Sequence, residues 1–190
     1  MFTIATDDAI INISPEGNLI NYGIEYFSEN VNNYSRLEKY QGRVDLFGNY
    51  DDKSFQGKLK YLGKTPVTYY ASYDLETLQG KVKSIGSIMI TYYMQYEDAA
   101  LRGKIKSIGN NQLTWFSAFD NEALRGKLKS AGITNLSYYA SFEDISFRGK
   151  IKTIGSVQFS YYPSFDTRFA GAMKTGAQSL NINGITFFIK

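Results

Sequence analysis

The sequence predicts an all-β fold: an antiparallel β-hairpin repeat array forming a curled open sheet or solenoid. Three observations carry that expectation. A phrase of the form Gly-Lys-apolar-Lys-small-apolar-Gly recurs with a constant step of 23 residues, which places Gly57, Gly80, Gly103, Gly126 and Gly149 in register. Both halves of each copy alternate with a period of two, and no apolar pattern at helical spacing runs through any of them. The chain also holds 16 Tyr, 13 Phe and 17 Gly against 3 Pro, the composition of strands joined by tight turns.

The copies follow one another along nearly the whole chain. "VDLFGNYD" at Val44, "VTYYASYD" at Val67, "ITYYMQYE" at Ile90, "LTWFSAFD" at Leu113, "LSYYASFE" at Leu136 and "FSYYPSFD" at Phe159 share one wording. "IEYFSEN" at Ile24 and "ITFFIK" at Ile185 are looser copies, so the array holds about eight units with degenerate ends, as an array needs to close its open faces. The organisation expected is one repeat domain over residues 1–190: an N-terminal cap (1–40), core repeats (41–170) and a C-terminal cap strand (171–190). Open flat sheets seldom exceed about 10 strands, so a closed barrel or a small propeller are the alternatives.

Within a unit the first strand alternates Leu101, Gly103, Ile105, Ser107 against Arg102, Lys104, Lys106, Ile108. A glycine such as Gly109 then opens a short hairpin connection, where a positive φ is commonly required. The second strand sets Leu113, Trp115, Ser117 and Phe119 on one face and Thr114, Phe116, Ala118 and Asp120 on the other. Links such as "NEA" read as equally short. The face expected to be buried carries the columns Leu59/Val82/Ile105/Leu128/Ile151, Tyr69/Tyr92/Trp115/Tyr138/Tyr161 and Tyr73/Tyr96/Phe119/Phe142/Phe165, with Gly57 and its equivalents making room for the rings. The opposite face carries two lysine columns, five Thr/Ser, a second aromatic column and five acids.

That second column (Tyr70, Tyr93, Phe116, Tyr139 and Tyr162) is the candidate binding platform, with Lys104 and Lys127 beside it. Spaced rings among hydroxyls and lysines suit stacking on sugars or bases if exposed, unless lysine stems lie over them. The lysines themselves form either a polyanion stripe or partners for Asp74, Glu97, Asp120, Glu143 and Asp166 across strands. The second reading is favoured, with stability effects of at most about 1 kcal/mol per pair.

Composition removes much chemistry. The chain has no Cys and no His, hence no thiolate nucleophile or zinc site, no disulfide and no imidazole base. Asp7-Asp8 and Asp51-Asp52 read as turns, and "SPEGN" at Ser14 reads as a turn and not a phosphate loop. No catalytic residue, metal ligand or cofactor is expected. A net charge of +3 is mild and does not by itself call for nucleic acid, which is not an expected partner. The first residues lack a signal-peptide pattern and no run approaches the roughly 18 apolar residues of a spanning helix. The compartment stays open, with the cytoplasm slightly favoured.

The 23-residue Gly- and Tyr-rich unit resembles the MORN class of repeats in length and hairpin character. "VDLFGNYDDKSFQGK" (Val44 to Lys58) is similar to the strands of a βγ-crystallin Greek key, although the crystallin calcium signature is absent from the "KSIG" segments. Over about residues 24–190 the chain also resembles bacterial Gly-Lys-Leu-Lys-Ser-Ile-Gly repeat proteins. These likenesses imply architecture. The function expected is a non-enzymatic scaffold that binds a partner protein or itself through a broad sheet surface. A carbohydrate-binding module using the Tyr/Lys face is the alternative, and a carboxylate hydrolase in the N-terminal segment is a third.

Overall fold

A computed structural model describes residues 1–7, 9–26, 36–182 and 185–189. Asp8 and most of the "IEYFSEN" copy lie outside the described residues. The fold is all-β and built from antiparallel hairpins. The chain divides into two compact units, Met1–Met94 with Gly103–Gly109, and Gln95–Arg102 with Asn110–Lys190.

The first unit begins with a four-stranded meander, β1 (Phe2–Ala5), β2 (Ile10–Ile13), β3 (Leu19–Tyr26) and β4 (Arg36–Glu38). Its inward side chains Ile11 and Ile13 are fully buried. The repeats follow as β5 (Val44–Leu46), β6 (Leu59–Leu62), β7 (Thr65–Tyr69), β8 (Val82–Ile85), β9 (Ile88–Tyr92) and β10 (Ile105–Ile108). Each pairs antiparallel with the next in chain order. This run is continuous: it neither closes nor splits into four-stranded blades, so it forms neither a barrel nor a propeller.

The second unit contains β11 (Asn111–Trp115), β12 (Leu128–Ala131), β13 (Thr134–Tyr138), β14 (Ile151–Ile154) and β15 (Val157–Gln158), again paired in order. Two separate hairpins complete it: β16 (Ser160–Tyr161) with β17 (Met173–Thr175), and β18 (Ser179–Ile182) with β19 (Ile185–Phe188). Leu180, Ile182, Phe187 and Ile189 of the last hairpin pack against a core of Leu136, Ile154, Phe159 and Tyr161.

Within a repeat the hairpin loop is two residues long. Ile85 pairs with Ile88, and Gly86 between them takes φ 56°, a left-handed conformation that glycine adopts without steric cost. The link between hairpins is longer than its sequence reads. The second strand stops at the first ring of each aromatic pair (Tyr69, Tyr138), and residues 70–81 and 139–150 form extended turn segments. The outward Thr/Ser column pairs across strands, Thr68 with Ser84 at 2.7 Å and Thr91 with Ser107 at 2.6 Å. The inner columns are buried as expected at Val82, Ile105, Tyr69, Tyr92, Trp115 and Tyr161. Leu128, Ile151 and Tyr138 are half-buried.

Candidate functional site

The expected platform is present but covered. Tyr70, Tyr93, Phe116, Tyr139 and Tyr162 are all half-buried. Each carries a lysine over its face: Lys83, Lys106, Lys129, Lys152 and Lys174 lie 5.0–5.8 Å from the ring centroids. Phe116 and Tyr139 also meet Tyr138 and Tyr161 edge-on at 5.9 Å. An ammonium over a ring is a favourable cation–π contact, and the lysine stem shields the face from any stacking ligand.

The first lysine column points inward, where alternation had put it on the outer face. Lys58 and Lys81 donate to the carbonyls of Gly80 and Gly103 in the next repeat at 2.5 Å. Lys127 and Lys150 donate likewise to Gly149 and Gly171. All four ammonium groups sit 5.1–5.3 Å over the inner rings Tyr69, Tyr92, Tyr138 and Tyr161. Lys104, the other lysine of the candidate platform, is half-buried and lies 3.6 Å from Glu16. The reversal has a local cause. Gly57, Gly80 and Gly103 are not strand residues: they precede the strands in turns with φ between 70° and 73°, so the lysine that follows is rotated out of the period of two. Burial lowers the pKa of Lys58 and Lys127 from the ordinary lysine range. Among the expected lysine–acid pairs, Lys152 and Glu143 meet at 3.2 Å.

These contacts separate the two columns energetically. Lys127→Gln removes a charge-assisted bond to a carbonyl and is expected to cost about 1.5–3 kcal/mol, the range for hydrogen bonds to charged groups. Lys129→Gln, on an exposed lysine over Phe116, should cost about 0.5–1 kcal/mol. Urea denaturation of the two variants measures the difference directly.

The third aromatic column, expected to be buried, is exposed. Tyr73, Tyr96, Phe119, Phe142 and Phe165 are 84–95 % exposed, and Tyr50, at the matching place one repeat earlier, is exposed too. The acid that follows each ring explains the correction. Asp74 donates its N–H to the Ala71 carbonyl at 3.0 Å, and its carboxylate accepts the Ala71 N–H at 2.7 Å. That closes a four-residue turn with Ser72 and Tyr73 at its centre, which ends the strand and lifts the ring outward. Asp51 with Gly48, Asp120 with Ser117 and Glu143 with Ala140 close the same turn around Tyr50, Phe119 and Phe142. Hydrogen bonding from the Ser117 N–H and hydroxyl holds the Asp120 carboxyl below its ordinary range.

A second polar position ties the turns of Tyr73, Phe119, Phe142 and Phe165 to the repeat before each, and sequence reading had passed it over as ordinary turn residues. Asp52 accepts the Ser54 N–H and hydroxyl, and also the Ser72 N–H at 3.0 Å and its hydroxyl at 2.7 Å. In the second unit Asp98 accepts the Ala118 N–H, Asn121 the Ser141 N–H, and Asp144 the Ser164 N–H and hydroxyl, all at 2.8–3.0 Å. The periodic recurrence of Asp52, Asp98, Asn121 and Asp144 at the 23-residue step was the available signal; Leu75 interrupts it. Gln79 and Arg125 reach back to the turn carbonyls, Gln79 to Ser72 at 2.8 Å and Arg125 to Asp120 at 2.9 Å. Tyr73, Phe119 and Phe142 therefore stand on turns fixed from both sides.

Hydrogen bonds from Ser54 and Ser72 pull the Asp52 carboxyl far below the carboxylate range, and those from Ser146 and Ser164 do the same at Asp144. A depressed folded-state pKa contributes stability that is complete above the ordinary value of 3.8 and is lost as pH falls below it. Asp52→Asn and Asp144→Asn should thus lower the melting temperature at about pH 7, where that contribution is complete, and differ less from wild type at about pH 3, flattening the acid limb. Asn121 already holds the same position with an amide, and its turn should be insensitive to acid. Thermal melts at about pH 7 and about pH 3 check the sign.

Among the described residues no group of three or more His, Cys, Asp or Glu could hold a metal ion, and no helix is long and apolar enough to cross a membrane. No family model matches the chain, and no curated protein or solved structure matches it significantly.

Proposed function

We propose that the chain is a non-enzymatic repeat scaffold that binds protein surfaces, its own copies included, through the row of exposed rings. The exposure of Tyr50, Tyr73, Tyr96, Phe119, Phe142 and Phe165 carries this reading. Large apolar side chains left exposed at the same turn in successive repeats mark interaction sites. Rings fixed on hydrogen-bonded turns lose little freedom on binding, so more of the contact energy reaches affinity. Three of the six rings lack a hydroxyl, and Ile145 and Phe169 extend the exposed apolar surface of the second unit, which favours protein over glycan. The repeated carboxylates Asp51, Asp74, Asp120 and Glu143 are engaged in closing turns, and this supports a scaffold over a hydrolase. The planar faces and hydroxyls of Tyr50, Tyr73 and Tyr96 support carbohydrate binding through the same row as the second reading.

Sedimentation velocity tests the first reading. The average mass of the wild-type chain should rise with concentration, while a variant with Tyr96, Phe119, Phe142 and Phe165 all changed to Ser stays at 21.5 kDa with an unchanged melting temperature. A wild-type chain that stays monomeric throughout contradicts self-association. Saturable binding of a β-linked oligosaccharide, lost in the four-ring variant, would establish the second reading in its place.

A further inference from the structure

In the first unit the turn Ser14–Asn18, between β2 and β3, docks on the repeats. Gly17 O accepts the Val82 N–H at 2.9 Å and Pro15 O accepts the Ile105 N–H at 2.8 Å. Glu16, between them, lies 3.6 Å from Lys104 Nζ and raises the Lys81 ammonium against the burial that lowers it. Gly17 packs on the Tyr92 ring so closely that an added Cβ would stand 2.0 Å from the Tyr92 hydroxyl. The two N–H groups are free to do this because both residues sit where the strand register shifts, opposite Tyr69 and Tyr92. The bulge turns their peptide groups out of the ladder.

Among the described residues the second unit repeats this seat without such a turn. Leu128 lies opposite Trp115 and Ile151 opposite Tyr138, each at the same register shift. The Tyr138 hydroxyl donates to Leu128 O as the Tyr92 hydroxyl does to Val82 O. Lys127 and Lys150 precede Leu128 and Ile151 as Lys81 and Lys104 precede Val82 and Ile105. The β18–β19 hairpin instead packs against the core around Leu136 and Ile154. Val82 and Ile105 are fully buried, whereas Leu128 and Ile151 are half-buried. Among the described residues their N–H groups donate to nothing outside the strand ladder. Burial lowers the Lys127 ammonium, and no carboxylate counters it as Glu16 does at Lys81.

We propose that the second unit binds an acidic peptide turn of a partner protein, of the Pro-Glu-Gly type, on the N–H groups of Leu128 and Ile151. Two carbonyls of that turn accept these N–H groups, its small residue lies on the Tyr138 ring, and its carboxylate faces Lys127 and Lys150. The chain's own turn defines the chemistry of the occupant, and the uncountered lysines supply the complementary charge. This seat is independent of the exposed ring row.

The probe is a cyclic peptide copying Ser14–Asn18, together with its Glu→Gln form, added to the full chain. Trp115 is the sole tryptophan and the cross-strand neighbour of Leu128, so its fluorescence reports on the seat. In the free protein the Leu128 and Ile151 amides should exchange faster than those of Val82 and Ile105. The peptide should slow them and change the fluorescence saturably. The Glu→Gln peptide should bind about tenfold more weakly, equivalent to 1.4 kcal/mol. Lys127→Gln should weaken the Glu peptide while hardly affecting the Gln peptide, a difference that loss of fold would not produce. Four results would each overturn the proposal: no saturable change up to about 1 mM peptide, a binding free energy of about −4.1 kcal/mol; equal binding of both peptides; changed protection at Val82 and Ile105 instead; or Leu128 and Ile151 amides protected in the free protein, whether in dilute solution or only on self-association.

Discussion

Trp115→Ala should destabilise the protein by about 3–5 kcal/mol, the usual range for deleting a large core aromatic, while Phe119→Ala, four residues on, should stay within about 0.5 kcal/mol. Both residues read as one face of one strand, yet Trp115 is 7 % exposed and Phe119 is 95 % exposed. The indole fills the position that Tyr69, Tyr92, Tyr138 and Tyr161 fill in the other repeats, so its removal leaves a cavity in the stack. Trp115→Tyr should therefore cost distinctly less than Trp115→Ala. Chemical denaturation of the three variants measures the set. Equal losses at Trp115 and Phe119 would place both rings in the core and remove the binding row.

The second large effect is at Gly80. Its φ of 71° is left-handed, and an added Cβ would stand 2.5 Å from the Ser54 carbonyl oxygen and 2.7 Å from Lys58 Nζ. The backbone conformation alone costs about 1–3 kcal/mol for a residue with a side chain. Displacing the Lys58 ammonium from the Gly80 carbonyl adds about 1.5–3 kcal/mol. Gly80→Ala should thus lose about 2.5–6 kcal/mol in all. Gly57 has nearly the same φ, 73°, but nothing within 4 Å of an added Cβ, so Gly57→Ala should lose the backbone part only. The paired melts separate strain from contact. Gly171, with the Ser146 carbonyl oxygen at 2.6 Å and Lys150 Nζ at 2.9 Å, should repeat the Gly80 result in the second unit.

The 23-residue step, the hairpins and the buried Tyr69 column were legible because they depend on alternation inside strands, where a period of two holds. Alternation misled at both strand ends. Past Tyr69 it was carried through Ser72 and Tyr73, although Asp74 closes a turn there by capping the Ala71 N–H at 2.7 Å. Before Leu59 it was carried through Gly57 and Lys58, although a positive φ at Gly57 reverses the side of the chain on which the next residue falls. The Asp/Glu column was visible in the sequence but was read as lysine partners, because carboxylate-to-backbone bonds leave no signature beyond spacing. The "SPEGN" segment was recognised as a turn. Its docking on Val82 and Ile105 joins residues far apart in the chain, and no local pattern encodes that.

Hydroxyl-radical footprinting at two protein concentrations tests the central claim, that the outward rings are the contact surface, most directly. In dilute solution Tyr50, Tyr73, Tyr96, Phe119, Phe142 and Phe165 should be labelled heavily, and the inner rings Tyr69, Tyr92 and Tyr161 hardly at all. At the concentration where sedimentation shows assembly, labelling should fall along the outward row and stay unchanged at Tyr70, Tyr93, Phe116, Tyr139 and Tyr162. Outward rings that label no more than the inner ones, or that stay equally labelled once the chain has assembled, would contradict it.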